Sequence, residues 1–197
     1  MKNFILLTIL FFALPTIGQE QDELYLLESD ATWIKEIIEF PIGFAQEIKY
    51  EGFEDLRFPQ GWSKEDSPNF WSYTWAWSLN DTKELTESEL EINIQYYFDG
   101  LLGHDFYKID GIKTPKTTAV FIKKEVSNGV SKYIGKVKTV DTRYTKKPIT
   151  LHVLVEQYYC DEQNKAIIFF KFSPKEFEND VWNTLNEVKL QDNFCNI

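Results

Sequence analysis

The sequence predicts a single α+β domain, an antiparallel sheet of about five to seven strands with two amphipathic helices packed on it. Three observations carry that prediction. Between Thr117 and Phe172 four successive short runs carry strand-type apolar patterning and are joined by turn residues. Two segments outside that region open with helix-start signals and continue with apolar residues at helical spacing. No repeat, low-complexity tract or linker divides the chain, and residues 32–197 are enough for one core.

In chain order, Lys2 precedes an unbroken apolar run from Phe4 to Leu14, and the small-residue exit Thr16-Ile17-Gly18 leads into a polar stretch. This is the pattern of a secretory signal peptide over residues 1–18, too short for a spanning helix. No cysteine stands near the expected cleavage point, which argues against a lipoprotein anchor. Residues 19–31 read as a polar lead-in. Trp33 to Phe40 fits an amphipathic helix or a strand, and Pro41 ends either. Residues 51–69 hold Gly52, Pro59, Gly61 and Pro68 and read as a long irregular connection.

Phe70 to Leu79 is a strand whose faces segregate: Trp71, Tyr73, Trp75, Trp77 and Leu79 alternate with Ser72, Thr74, Ala76 and Ser78. Thr86 and Glu89 form a capping box with Leu85 stapled to Leu90. Leu90, Ile94, Tyr97, Phe98 and Leu101 then follow as a helical stripe, closed by Gly100 or Gly103. Thr117–Val126 and Ser131–Val140 flank Asn128-Gly129, a type I′ hairpin signal. Ile149–Tyr159 and Ala166–Phe172 complete an antiparallel meander. The second helix is expected from Ser173 as N-cap, Pro174 at its first position and Glu176 closing the box, with Phe177, Val181, Leu185 and Val188 on one face.

The net charge of −10 implies a surface that repels phosphate backbones and anionic lipid, with no basic cluster strong enough to reverse it. Nucleic acid is therefore not an expected partner, and no segment spans a membrane. Aromatic residues are 16% of the chain and the single Met is the first residue, so the core must be built of rings and branched aliphatics. Cys160 follows a meander strand and Cys195 lies near the chain end. In an oxidising compartment the pair is expected to form one disulfide.

Candidate chemistry is sparse. GxSxG, GxxxxGK[ST], HExxH and the EF-hand order are all missing, so no cofactor and no metal site is expected. Asp99, His104 and Asp105 fall in a glycine-rich stretch after the first helix. They are the candidate catalytic residues, where a carboxylate beside an imidazole can act as a general base; the competing reading is a helix-terminating loop. Trp71, Tyr73, Trp75 and Trp77 are the candidate ligand-binding residues, a ring platform for a sugar or apolar ligand if exposed and core if buried. His152 reads as a surface or hydrogen-bonded strand residue.

Phe40-Pro41-Ile42-Gly43-Phe44-Ala45, Leu56-Arg57-Phe58-Pro59-Gln60-Gly61-Trp62, Phe70 to Trp77 and Tyr97-Phe98-Asp99-Gly100-Leu101, with Cys160, Ser173-Pro174, Val181-Trp182 and Phe194-Cys195, resemble an uncharacterised family of small exported bacterial proteins common in Bacteroidota. That resemblance implies export and assigns no site residue. The order of elements is also similar to the PsbP-like fold, which implies topology alone. The expected function is that of a non-enzymatic periplasmic or secreted accessory or binding protein, whose partner is a small molecule or a protein. The alternatives are a hydrolase or metal-dependent enzyme centred on Asp99, His104 and Asp105, and a carbohydrate or apolar-ligand module built on Trp71 to Trp77.

Overall fold

A computed structural model describes residues 25–197. The predicted signal segment and the first part of the lead-in, to residue 24, lie outside the described residues. The strands are β1 (Leu27–Glu28), β2 (Ile34–Glu39), β3 (Gly52–Phe58), β4 (Tyr73–Asn80), β5 (Lys108–Ile109), β6 (Ile112–Lys113), β7 (Thr118–Ser127), β8 (Val130–Val140), β9 (Pro148–Cys160), β10 (Lys165–Ser173) and β11 (Lys189–Leu190). The helices are α1 (Glu87–Leu102) and the one-turn α2 (Val181–Leu185). A seven-stranded antiparallel sheet runs in the order β2-β3-β4-β10-β9-β8-β7. The expected meander is its β7 to β10 half, and Asn128 and Gly129 both take the positive φ that a type I′ turn requires.

One face of the sheet carries the rings of β4 and β10 together with Leu56, Phe121, Tyr133, Val137, Leu151, Val153 and Val155. Helix α1 closes this face over β7 and β8. Its capping box forms as the sequence predicts: the Thr86 Oγ1 accepts from the Glu89 amide at 3.3 Å and Glu89 Oε2 accepts from the Thr86 amide at 2.8 Å. Gln157 of β9 fixes the helix entry by bonding both the amide and the carbonyl of Leu85, at 2.9 and 2.8 Å. The helix ends on Gly103, whose φ of +66° suits a residue without Cβ. Gly100 is instead a contact point, because a Cβ there would stand 1.8 Å from the Phe44 carbonyl oxygen. The 40–51 connection therefore lies directly on the helix, with Ile42, Ala45 and Ile48 buried under it.

The opposite face is covered by the two ends of the chain. Leu26 and Leu27 from the lead-in, with Trp33 just after it, join Val181, Trp182, Leu185 and Val188 from the C-terminal segment over Ala76, Ile167 and Phe169. The lead-in is thus part of the fold from Tyr25 onward, pairing as β1 with β11. Beneath it Asp55 and Arg57 form a fully buried ion pair. Asp55 Oδ2 accepts from the amides of Leu26 and Leu27 at 2.8 and 2.9 Å, and Arg57 donates to the Leu27 carbonyl at 2.7 Å. Cys160 and Cys195 form the expected disulfide, with Cα atoms 5.6 Å apart, which ties the chain end to the end of β9.

Two expectations are corrected and one open choice is resolved. Residues 51–69 are not all irregular: Gly52–Phe58 is strand β3, whose charged side chains Glu54, Asp55 and Arg57 are buried and paired rather than solvated. Residues Ile34–Glu39 are an edge strand, which settles the choice between helix and strand. There is one long helix and not two. The Ser173 hydroxyl is engaged by Ser72 at 2.8 Å and by the Lys175 amide at 3.1 Å, so it turns the chain instead of capping a helix. Glu176 reaches His152 at 3.4 Å, and only Val181–Leu185 become helical.

Breaking the Asp55–Arg57 pair leaves an uncompensated buried charge, a change that costs about 3 to 5 kcal/mol. Arg57→Ala is expected to lower the free energy of unfolding by that amount in urea titrations. A loss under about 1 kcal/mol would show that the pair does not hold the lead-in.

Candidate functional site

The residues that the sequence nominated for chemistry are placed in structural roles. His104 is fully buried. Its Nδ1 meets Asp99 Oδ1 at 2.9 Å and its Nε2 meets the Val140 carbonyl at 3.0 Å, so both ring nitrogens are committed to acceptors. Asp99 also accepts from the Thr117 amide at 2.7 Å. Burial pulls the imidazole pKa down, but the bonds to Asp99 and Val140 outweigh it and raise His104 above its ordinary value. Together His104 and Asp99 latch the C-terminal end of α1 to β7 and β8. Asp105 is not part of the latch. It lies half exposed on Lys116, at 2.8 Å. Lys116 also stands 3.3 Å from Asp99 Oδ2, so the structure brings Asp99 and His104 together and joins Asp105 to them only through that lysine, with both ring nitrogens taken. Among the described residues no group of three or more His, Cys, Asp or Glu is arranged to hold a metal ion. Among these residues, too, no helix is long and apolar enough to cross a membrane.

Trp71, Tyr73, Trp75 and Trp77 are each 2% exposed or less. Their successive ring centroids lie 6.1, 5.6 and 6.4 Å apart, and Trp75 also meets Phe172 at 4.2 Å and Tyr97 at 4.7 Å. No ring face is open to a sugar. Trp71 itself precedes β4 with φ +54°, a strained conformation for a bulky residue, held by its amide bond to the Trp62 carbonyl at 2.8 Å. Glu54 is buried in the same layer, accepting from the Tyr97 hydroxyl at 3.0 Å. The Trp77 indole lies beside it outside hydrogen-bond geometry. Burial pushes the Glu54 carboxyl up to about 8 against the pull of Tyr97, so the group is mostly protonated at neutral pH.

The site that the sequence did not disclose is on the other face. The chain ends cover β3, β4 and β10, but the layer stops at β9 and leaves that face of β8 and β7 open. A cleft of about 490 Å³ lies at the boundary, between β9, β10 and the C-terminal segment. Its lining includes the apolar side chains Tyr158, Phe169, Val188, Leu190 and Phe194, the lysines Lys171 and Lys189, the amides Asn186 and Gln191, and the carboxylates Glu156 and Asp192. Lys171 Nζ donates to Asn186 Oδ1 at 2.8 Å and stands 5.0 Å over the Phe169 ring. Among the described residues no carboxylate lies within 4.0 Å of it. Burial lowers the Lys171 pKa, Glu156 opposes that, and the like charge of Lys189 adds to it. The Glu156 carboxylate is occupied by the Tyr158 hydroxyl at 2.9 Å and by Lys132 at 4.0 Å.

The open sheet lies beside the cleft. Lys171 pairs in register with Leu154, Leu154 with Ile134 and Ile134 with Ile122, all on the uncovered face. Ile122 is 58% exposed and its neighbour Val120 is 51% exposed. Lys132, Lys136 and Lys138 stand on the same face of β8. Charge is strongly uneven along the chain: residues 111–150 hold ten Lys and Arg against Glu125 and Asp141, in a protein of net charge −10. Comparison of the chain with known protein families, curated proteins and solved structures finds no match in any of the three.

Both buried titratable groups make the fold favour lower pH. Between the ordinary carboxyl range and about 8, folded Glu54 holds a proton that the unfolded chain has lost, so stability falls as pH rises through that window. The raised pKa of His104 acts in the same direction: its contribution is full below the ordinary histidine value and is lost as pH rises through the higher folded value. Glu54→Gln is expected to flatten the fall and to stabilise the protein by about 2 to 4 kcal/mol at pH 9. His104→Ala is expected to cost about 2 to 3 kcal/mol at pH 6, by orphaning the Val140 carbonyl and Asp99. Thermal unfolding of both variants across pH 5 to 9 checks this; a parent protein more stable at pH 9 than at pH 6 would contradict it.

Proposed function

We propose that the protein is a non-enzymatic periplasmic or secreted binding protein that holds a small molecule in the cleft between β9, β10 and the C-terminal segment. The observation that carries this reading is the cleft itself. Its volume of about 490 Å³ lies within the usual range of small-molecule sites, and its lining sets the apolar side chains of Tyr158, Phe169, Val188, Leu190 and Phe194 beside charged and amide groups of both signs. The enzyme reading has less support, because the Asp99 and His104 polar atoms are consumed by structural bonds. The ring-platform reading has less support because the rings are core. The Cys160–Cys195 disulfide is consistent with an oxidising, extracytoplasmic compartment. The motifs around Trp62, Trp71 to Trp77 and Tyr97 support a place among the small exported bacterial proteins they resemble, and the capped helix before an antiparallel meander keeps the likeness to the PsbP-like topology as a proposal.

Nile red, an uncharged apolar dye, tests the site. It is expected to bind saturably at one molecule per chain with a blue shift in its emission. Phe194→Ala, which removes part of the cleft wall, is expected to weaken that binding at least fivefold, and His104→Ala to leave it unchanged in the folded protein. Absence of saturable binding, or binding that ignores Phe194, would overturn the proposal.

A further inference from the structure

The geometry points to an anionic amphiphile as the ligand: a carboxylate head at Lys171, and an unbranched apolar chain running from the cleft across Leu154, Ile134 and Ile122. This rests on the cleft being a binding site and adds the chemical class of what it takes.

Three features converge on that class. The first is a cation without a counter-ion. Lys171 is half buried, bonded to a neutral amide oxygen and faced by a second lysine, Lys189, across the same cleft. An ammonium removed from water with only a neutral partner gains most from an arriving anion. The acidic group beside it, Glu156, is already held by Tyr158 and Lys132. The second feature is the apolar track. Leu154, Ile134 and Ile122 are direct cross-strand neighbours on three adjacent strands, and Lys171 is the next position in the same row. At the spacing of strands in a sheet, the row from Lys171 to Ile122 is about 14 Å long, about the length of an extended chain of ten to twelve carbons. Half-exposed Ile122 and Val120 have no covering element in the fold. The third is sign: Lys136 flanks the track on one side with Lys138 beyond it, neither with a carboxylate within 4.0 Å among the described residues, while on the other side Glu125 is already held by Lys132 at 3.1 Å. A cationic head seated at Lys171 would meet the like charges of Lys171 and Lys189.

Titration calorimetry with submicellar dodecanoate, dodecanol and dodecyltrimethylammonium tests the assignment on the full chain. Dodecanoate is expected to bind at least tenfold tighter than dodecanol, and the ammonium compound not at all. Lys171→Gln is expected to bring dodecanoate and dodecanol within about threefold of each other, whereas Lys171→Arg, which keeps the charge, retains the preference. Ile134→Asn is expected to weaken dodecanoate and dodecanol alike. Equal affinity for the acid and the alcohol in the parent protein, or a preference that survives Lys171→Gln, would overturn the assignment while leaving Nile red binding, and so the cleft, intact. Binding to phosphatidylglycerol vesicles with no binding of free dodecanoate would also overturn it, and would make the basic shelf a membrane contact. Loss of Nile red binding as well would refute the cleft itself.

Discussion

The Asp55–Arg57 pair is the interaction on which the lower layer of the molecule depends. Two adjacent amides, those of Leu26 and Leu27, end on one carboxylate oxygen, and the Leu27 carbonyl ends on the guanidinium. This gives an incoming chain end fixed partners in the middle of a sheet face that would otherwise present charge to an apolar layer. Once the lead-in is fixed, β1 can pair with β11, and the Gln191 amide bonds back to the Leu26 carbonyl at 2.9 Å. The wall of the cleft from Val188 to Phe194 therefore stands where it does because a buried ion pair holds its partner strand. The Cys160–Cys195 disulfide holds the same wall from its far end. With its cysteines 35 positions apart it contributes about 4 kcal/mol on a chain-entropy basis.

The two faces of the sheet do different work. The upper face is filled by rings. Trp75 alone meets Tyr73, Trp77, Tyr97, Phe98, Phe170 and Phe172, and Gly100 lets the 40–51 connection close over the helix without a gap. Such a layer stabilises and leaves no opening. The lower face has only two chain ends to cover seven strands, and these run out at β9. The cleft and the open shelf of β8 and β7 are the consequence of that shortage, and the lysines of the hairpin keep the exposed edge from pairing with other chains. The proposed site thus lies where the covering layer ends.

Much of the fold was legible because local chemistry and tertiary packing agree. The Thr86–Glu89 box, the Asn128-Gly129 turn and the disulfide each carry their signal in a few neighbouring residues. Strand β3 was hidden because Glu54, Asp55 and Arg57 read as solvent-facing, whereas their partners, Tyr97 and the Leu26–Leu27 backbone, come from remote segments. Ser173 carried an N-cap signal that its contact with Ser72, 101 positions away in sequence, diverted. The candidate site was invisible for a similar reason. Lys171, Glu156, Asn186 and Phe194 come from three separated segments, and Ile122, Ile134 and Leu154 read as ordinary strand interior. The signal that could have found the shelf was the density of lysines between residues 111 and 150.

The claim on which this view of the molecule stands is that the ligand meets the lower face at the edge of the chain-end layer. Amide chemical-shift mapping with dodecanoate tests it most directly. Perturbations confined to Val120–Lys138, His152–Tyr158, Phe169–Lys171 and Asn186–Phe194 are the expected result. Perturbations centred on Trp71–Trp77, or on Asp99 to Asp105, with the lower face silent, would contradict it.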